Sequence, residues 1–493
     1  MICYIFKFYT YVTFTTTPPH AATAVTTVAQ QAYTHHASYR EKAISHRRFK
    51  HQNIVPLLEQ LRQHPLFEVQ VTGKSVEERD IYLVKAGTGK TKVMLWSQMH
   101  GDEPTATMAL FDLLNFLQQS DELDPVRQHI LQTTTLYIVP MLNPDGAEQY
   151  KRRNALGIDL NRDALRLQSP EAKLLKHLRD SLEPEFGFNL HDQSRYYTVG
   201  STPNPATISF LAPVYDHSKE VNQVRARAMR TIAGMHETLQ QFIPGQVAKF
   251  SDEHEPRAFG DNIQKWGTSV ILLESGGYHG DPEKQYIRQL NFVSIVSALH
   301  LIGSEGYTAY NLEDYQAIPV NERNLFDLVV RHVRYRENGQ DTLLDIGINR
   351  DEVLVANKKG FYHASSIEEL GDMSVYHGYE ELDAEGLILV PGQVYAIPFD
   401  RLSDLRPELT RELLQQGYTT IRMNSMPEGI VDPLHLPLNI TSAAASIDHR
   451  PDLEREANFV LRDETGEVRY AIVNGFVYDL LGGRPALFHG LVL

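Results

Sequence analysis

Two histidines, two glutamates and a set of arginines occupy the chemically informative points of this chain. His100 and Glu103 lie in Gln98-Met99-His100-Gly101-Asp102-Glu103, just after the apolar run Val93-Met94-Leu95-Trp96. Further on, Asn143-Pro144-Asp145-Gly146 is followed by Arg152-Arg153-Asn154 and by Gly157-Ile158-Asp159-Leu160-Asn161-Arg162. His191 closes Phe188-Asn189-Leu190 and precedes Asp192, and Glu274 closes Ile271-Leu272-Leu273. Two histidines and one carboxylate can hold a zinc ion with one position left open for water. A further carboxylate can act as base toward that water, and arginines can hold fixed or developing negative charge.

Such a constellation needs a scaffold, and the hydrophobic pattern supplies one. Strands are predicted near 81–85, 92–97 and 134–139, and short buried strands end at His191 and Glu274. Ala109, Leu110, Leu113, Leu114 and Leu117 repeat at helical spacing over 105–119, and 221–242 and 283–302 read likewise. Strands alternating with helices imply an α/β sheet with helices on both faces. His100 and His191 then fall at the C-terminal ends of strands, where open α/β sheets place their sites.

The order HxxE, NPDG, RxN, GxDLNR, strand-end His and strand-end Glu resembles the zinc carboxypeptidase family of the M14 type, over roughly residues 50 to 305. NPDG with GIDLNR carries the specificity of that resemblance. It implies a mixed-sheet catalytic domain that holds one zinc ion per chain through His100, Glu103 and His191. Glu274 would be the general base, taking a proton from the attacking water and delivering it to the leaving amine. Arg152 would stabilise the oxyanion; Arg153, its neighbour, is the alternative match. Asn161 and Arg162 would grip a free substrate carboxylate, for which a guanidinium fork is geometrically suited. Asp159 is a candidate to orient a neighbouring histidine.

This chain departs from the family at Asp163, at Asp192-Gln193 and at Ser275-Gly276. No motif singles out the family's mobile tyrosine; Tyr196, Tyr197 and Tyr278 are the candidates. The expected activity is hydrolysis of an amide bond next to a free carboxylate, in a peptide or small amide substrate. Two alternatives are an N-acyl amino acid deacylase of the aspartoacylase and succinylglutamate desuccinylase branch, and a non-catalytic binding module on the same fold. All five chemical positions are filled, which argues against the last.

The 493 residues are too many for one typical domain. A net charge of −15 argues against nucleic acid or an anionic membrane surface as partner. One cysteine, Cys3, excludes an internal disulfide framework and fits a cytoplasmic location. No apolar span is long enough to predict a transmembrane helix. Residues 1–31 are Thr-rich and read as a disordered or spurious extension. The alternative is a signal peptide, with Ala21-Ala22-Thr23-Ala24 as its cleavage region, which would make the protein secreted or periplasmic.

The catalytic domain is expected over 32–306, followed by a smaller β-rich accessory domain over 312–493. Phe326-Asp327-Leu328-Val329-Val330-Arg331, Asp345-Ile346-Gly347-Ile348 and Asp383 to Gly392 resemble, more weakly, the β-sandwich domain of amidohydrolases. Ala457-Asn458-Phe459-Val460-Leu461 and Ala471-Ile472-Val473-Asn474-Gly475 resemble its later strands. Too few residues lie between the halves for a metal barrel, and Val394-Tyr395-Ala396 stands where His-x-His would follow Pro391-Gly392. The domain is therefore expected to be non-catalytic, packing on the peptidase or mediating a homo-oligomer.

Overall fold

The computed structural model describes residues 19–337, 339–355, 360–426, 435–482 and 489–493. The chain divides into two compact units. One holds Met1–Gln193, Thr207–Ser275 and Glu283–Val320; the other holds Ser194–Ala206, Gly276–Pro282 and Asn321–Leu493.

The first unit is built on eight strands: β1 (Phe67–Lys74), β2 (Asp80–Ala86), β3 (Thr91–Ser97), β4 (Thr134–Val139), β5 (Phe186–Asp192), β6 (Ile208–Leu211), β7 (Val247–Lys249) and β8 (Ser269–Ser275). Their spatial order is β1-β2-β4-β3-β5-β8-β6-β7. The central β4-β3-β5-β8 block is parallel, and the pairs β1–β2, β2–β4 and β8–β6 are antiparallel. Parallel strands are covered on both faces, which is why β3 reads as an unbroken apolar run: Val93, Met94, Leu95 and Trp96 are all fully buried. Met94 and Trp96 pack on one face against Ala172, Leu175 and Leu178 of helix Pro170–Leu182 and Phe259 and Ile263 of helix Phe259–Lys265. Helices Thr105–Gln118, Gln223–Leu239 and Gln285–Gly303 cover the other face. The α/β sheet with helices on both faces is thus present.

The N-terminal expectation needs correction. Residues 1–18 lie outside the described residues, but Pro19–Tyr39 is a helix, so 19–31 are not a disordered extension. Val25, Val28, Ala29, Ala32, His36 and Tyr39 fall on one stripe and are buried. The stripe uses small and β-branched residues among threonines, so it carries little of the Leu-rich signal that marks a helix in sequence.

Buried polar bonds secure the segment that follows. His36 Nε2 lies 2.8 Å from Asp112 Oδ2, Glu41 N–H donates to Asp112 Oδ1 at 2.7 Å, and Arg288 Nε donates to Asp112 Oδ2 at 2.7 Å. The same guanidinium reaches the carbonyls of Ile44 and Glu41. Burial works against the Asp112 carboxylate, but His36 and Arg288 hold its pKa below the ordinary value. Its stabilising contribution is therefore present at neutral pH and fades only as pH falls through that depressed value. Arg288→Met should destabilise the first unit by about 3–5 kcal/mol, because it leaves Asp112 charged and buried. Both tryptophans, Trp96 and Trp266, lie in this unit, so urea unfolding followed by tryptophan fluorescence reads the loss. An unchanged midpoint would show that the ion pair carries no net stability.

The second unit is mostly β. A seven-strand path runs Phe361–Gly371, Gln340–Leu354, Leu325–Glu337, Ile388–Pro391, Phe459–Arg462, Val468–Val473, Phe476–Asp479, and His377–Asp383 pairs with Leu325–Glu337 off that path. A three-stranded parallel sheet of Gln393–Phe399, Tyr418–Met423 and Asn439–Ser442 accompanies it. Parallel neighbours need a crossover, and helix Pro407–Gln416 supplies one; the sequence reading did not include it. Gly417, at φ +100°, ends that helix in the left-handed region that glycine adopts readily.

Candidate active site

His100 and Glu103 sit on the turn that leaves β3. Asn143 of NPDG stitches this turn: its Nδ2 donates to Met99 O at 3.2 Å, and its Oδ1 accepts from Gly146 N–H at 2.9 Å, capping helix Pro144–Gln149. Gly101 packs so closely on Gly146 that a Cβ there would stand 2.0 Å from the Gly146 carbonyl carbon. Gln98, at φ +50°, ties the same turn through Gly101 O and Thr107 Oγ1. The HGDE and NPDG motifs are therefore two halves of one packed corner.

β5 and β8 bring the other two groups alongside, because His191 and Glu274 are register partners on adjacent parallel strands. Glu103 Oε1 lies 2.8 Å from His100 Nδ1, and its Oε2 lies 2.7 Å from His191 Nδ1. The two Nδ1 atoms are 3.2 Å apart. His100 Nε2 lies 3.1 Å from Asp159 Oδ1, so the far side of that ring is held by a carboxylate. Metal-binding histidines commonly have such an outer partner. Among the described residues His191 Nε2 has no partner and is buried. Among the described residues, His100, Glu103 and His191 are the group of three whose ligand atoms converge closely enough for one ion. Two imidazole nitrogens and a carboxylate oxygen, all buried and aimed at one point, fit zinc.

The electrostatics follow from this crowding. Burial disfavours the Glu103 carboxylate, but His100 and His191 overcome it and hold its pKa well below the usual value. Burial disfavours protonated His100, yet Glu103 and Asp159 raise it to about 9. Burial, and then the Glu103 charge, push Glu274 upward. Asp102 is raised to about 6 by burial and then by Glu103.

Arg152, not Arg153, reaches this group. Its Nη1 lies 3.2 Å from Glu103 Oε1 and its Nε 3.0 Å from Asp159 Oδ2. Arg153 instead bonds the Gly157 carbonyl at 3.0 Å and is exposed. Asn161 Oδ1 accepts from Phe259 N–H at 2.9 Å, and Arg162 Nε lies 3.1 Å from Glu255 Oε2. Glu255 also takes a two-pronged contact from Arg257. Glu255 was not foreseen from the sequence; no motif marks it.

Two departures from the family pattern have visible duties. Asp163 accepts from Gln168 N–H, Ser169 N–H and Ser169 Oγ, shaping the start of helix Pro170–Leu182. Gln193 Nε2 donates to Ser209 Oγ at 2.9 Å. Asn189, two residues before His191 on the same face of β5, is fully buried, and among the described residues neither of its side-chain polar atoms finds a partner. The tyrosine candidates Tyr196, Tyr197 and Tyr278 all belong to the second unit, where Tyr196 OH donates to Asp327 Oδ2 at 2.8 Å.

Residues 54–239 match the family model described as zinc carboxypeptidase. The matched stretch is similar to that family; it contains His100, Glu103, Arg152, Asn161, Arg162 and His191 and stops before Glu274. Carboxypeptidase SOL1 of Arabidopsis thaliana is 34% identical over 144 residues, which are 24% of this chain and 29% of that protein. Mouse carboxypeptidase M is 31% identical over 107 residues, 18% of this chain and 24% of that one. The chain thus spans less than a third of the length of these relatives. A solved metallo-carboxypeptidase from Burkholderia cenocepacia superposes with a TM-score of 0.43 at 20% identity, covering 51% of this chain and 69% of the other. No helix among the described residues is long and apolar enough to cross a membrane.

Proposed function

We propose that this chain is a zinc-dependent hydrolase of the carboxypeptidase type, cleaving an amide bond next to a free carboxylate in a peptide or small peptide-like substrate. The observation that carries the reading is the convergence of His100 Nδ1, His191 Nδ1 and the Glu103 carboxylate, with Glu274 in register beside them. Zinc held by His100, Glu103 and His191 would supply Lewis acidity toward the carbonyl and lower the pKa of the attacking water. Glu274 takes the proton of that water and passes it to the leaving amine; its buried position favours a carboxyl group that readily holds a proton. Arg152, anchored by Asp159, presents a guanidinium to the negative charge that grows on the carbonyl oxygen. Asn161 and Arg162 receive the substrate's free carboxylate, for which Arg162 must exchange its contact with Glu255.

The test is hydrolysis of short peptides and of N-acyl amino acids, each with and without chelator, and with the terminal carboxylate free or amidated. Peptide cleavage that chelator abolishes is expected. Amidation should cost the wild type about tenfold or more in kcat/KM and should cost Arg162→Ala little, since a charge-assisted fork is lost only where the fork exists. Arg162→Lys should not restore the preference. Equal losses in both enzymes would place the carboxylate elsewhere, and cleavage of acylated single amino acids alone would favour the deacylase reading.

A further inference from the structure

We propose that the buried pair Lys284–Asp192 is a positioning device that holds the metal-binding strand end and the base-bearing strand end in register. The inference rests on the reading above, in which His191 binds metal and Glu274 moves the proton. Side chains alternate along a strand, so His191 and Glu274 leave the sheet on one face while Asp192 and Ser275 leave on the other. On that second face Asp192 Oδ2 accepts from Thr105 Oγ1 at 2.6 Å and from Lys284 Nζ at 3.0 Å. Lys284 Nζ also donates to the Ser275 carbonyl at 2.9 Å. Asn291, on the helix that Lys284 introduces, donates to Ser275 Oγ at 3.0 Å. One ammonium therefore joins the residue after His191 to the residue after Glu274. Through the same carboxylate it reaches Thr105, which opens the helix two residues beyond Glu103.

Both charges are withdrawn from water, with side chains 13% and 8% exposed. Among the described residues Asp192 Oδ1 is buried without a partner, so no second donor there shares the task of compensating this carboxylate from that side. Lys284 takes a left-handed backbone conformation, φ +49°, at the start of helix Gln285–Gly303. A lysine gains nothing from that conformation by itself. Its side chain is the part with a job, and the job is to tie β5, β8 and the helix Thr105–Gln118 together. Neither Lys284 nor Asp192 is assigned a step in the reaction; both act through the groups next to them. A reactive geometry is sensitive to shifts of about 1 Å, so loosening this tie should slow turnover without changing what binds.

The experiment uses the zinc-loaded full chain and a peptide with a free carboxylate. Lys284→Met should lower kcat about tenfold or more, keep KM within about twofold, and change the visible spectrum of the cobalt-substituted enzyme. The double variant Asp192→Asn/Lys284→Met removes both buried charges. It should regain most of the melting temperature lost by Lys284→Met yet remain slow. Lys284→Arg should recover part of kcat. If the double variant regains kcat along with its melting temperature, the effect of Lys284→Met was an unpaired charge and the proposal fails. It also fails if Lys284→Met keeps kcat within about twofold and leaves the cobalt spectrum unchanged. Should Lys284→Met not fold, the double variant and Lys284→Arg decide the matter by the same readouts. Glu274→Gln measured alongside separates the two failures. Full turnover there overturns the site reading itself, whereas a slow Glu274→Gln with a fast double variant overturns only the tie.

Discussion

Glu274→Gln should retain fold and metal while losing about a hundredfold or more in kcat, the usual scale for a positioned acid or base. The argument is geometric. Glu274 is the register partner of His191, so parallel pairing of β5 and β8 places it beside the metal group whatever the rotamer. It is the penultimate residue of a strand in which every residue is buried, and it is itself only 9% exposed. An amide of the same shape fills that space and still accepts hydrogen bonds, but it cannot take up a proton at neutral pH. Metal content should not move, because Glu274 is not one of the three groups whose ligand atoms converge. Steady-state kinetics with zinc analysis of the same preparation checks both halves. Near-normal turnover would transfer the base role to another carboxylate.

The sequence made this part of the molecule legible for a physical reason. A strand buried on both faces must be apolar throughout, so a charged or imidazole residue closing such a run stands out. That holds for Glu274 after Ile271-Leu272-Leu273, and more weakly for His191, whose buried run Phe188-Asn189-Leu190 already contains a polar residue. HGDE and NPDG were legible as motifs, and their glycines have separate reasons: a Cβ on Gly101 would meet the Gly146 backbone, and one on Gly146 would meet Asn143 Nδ2 and the Lys151 carbonyl. Helix Pro19–Tyr39 was missed because its buried stripe is built from Val and Ala among threonines. Helix Pro407–Gln416 is one short crossover inside a segment built mostly of strands. The ion pairs were invisible for a different reason. Lys284 and Asp192 lie far apart in the chain, as do Arg288 and Asp112, and Arg162 and Glu255. A charge carries no periodicity that would name its partner, so only the fold reveals which charges meet. The grouping of Ser194–Ala206 and Gly276–Pro282 with the second unit likewise leaves no compositional mark.

His191→Ala should strip most of the zinc from a protein that otherwise carries about one ion per chain, and should abolish turnover in proportion. Three ligands are the fewest that hold a catalytic zinc while leaving a position open, so removing one leaves a weak two-point site. The remaining pair is compromised as well. Glu103 Oε2 loses its 2.7 Å contact with His191 Nδ1, while Arg152 Nη1 stays 3.2 Å from Oε1 and competes for the same carboxylate. His100 keeps its outer contact with Asp159 but has a single buried carboxylate left to share an ion with. Fold loss is the trivial alternative: His191 is a buried residue one position before the end of β5, so circular dichroism must show that the variant is folded. His177→Ala, a change on helix Pro170–Leu182 outside the metal group, is the matched control among 21 histidines and should keep both metal and activity. Zinc analysis after gel filtration, paired with circular dichroism, reads the outcome. A folded His191→Ala protein with full zinc content would remove His191 from the ligand set, and the open position assigned to water would then have to be redrawn around His100 and Glu103.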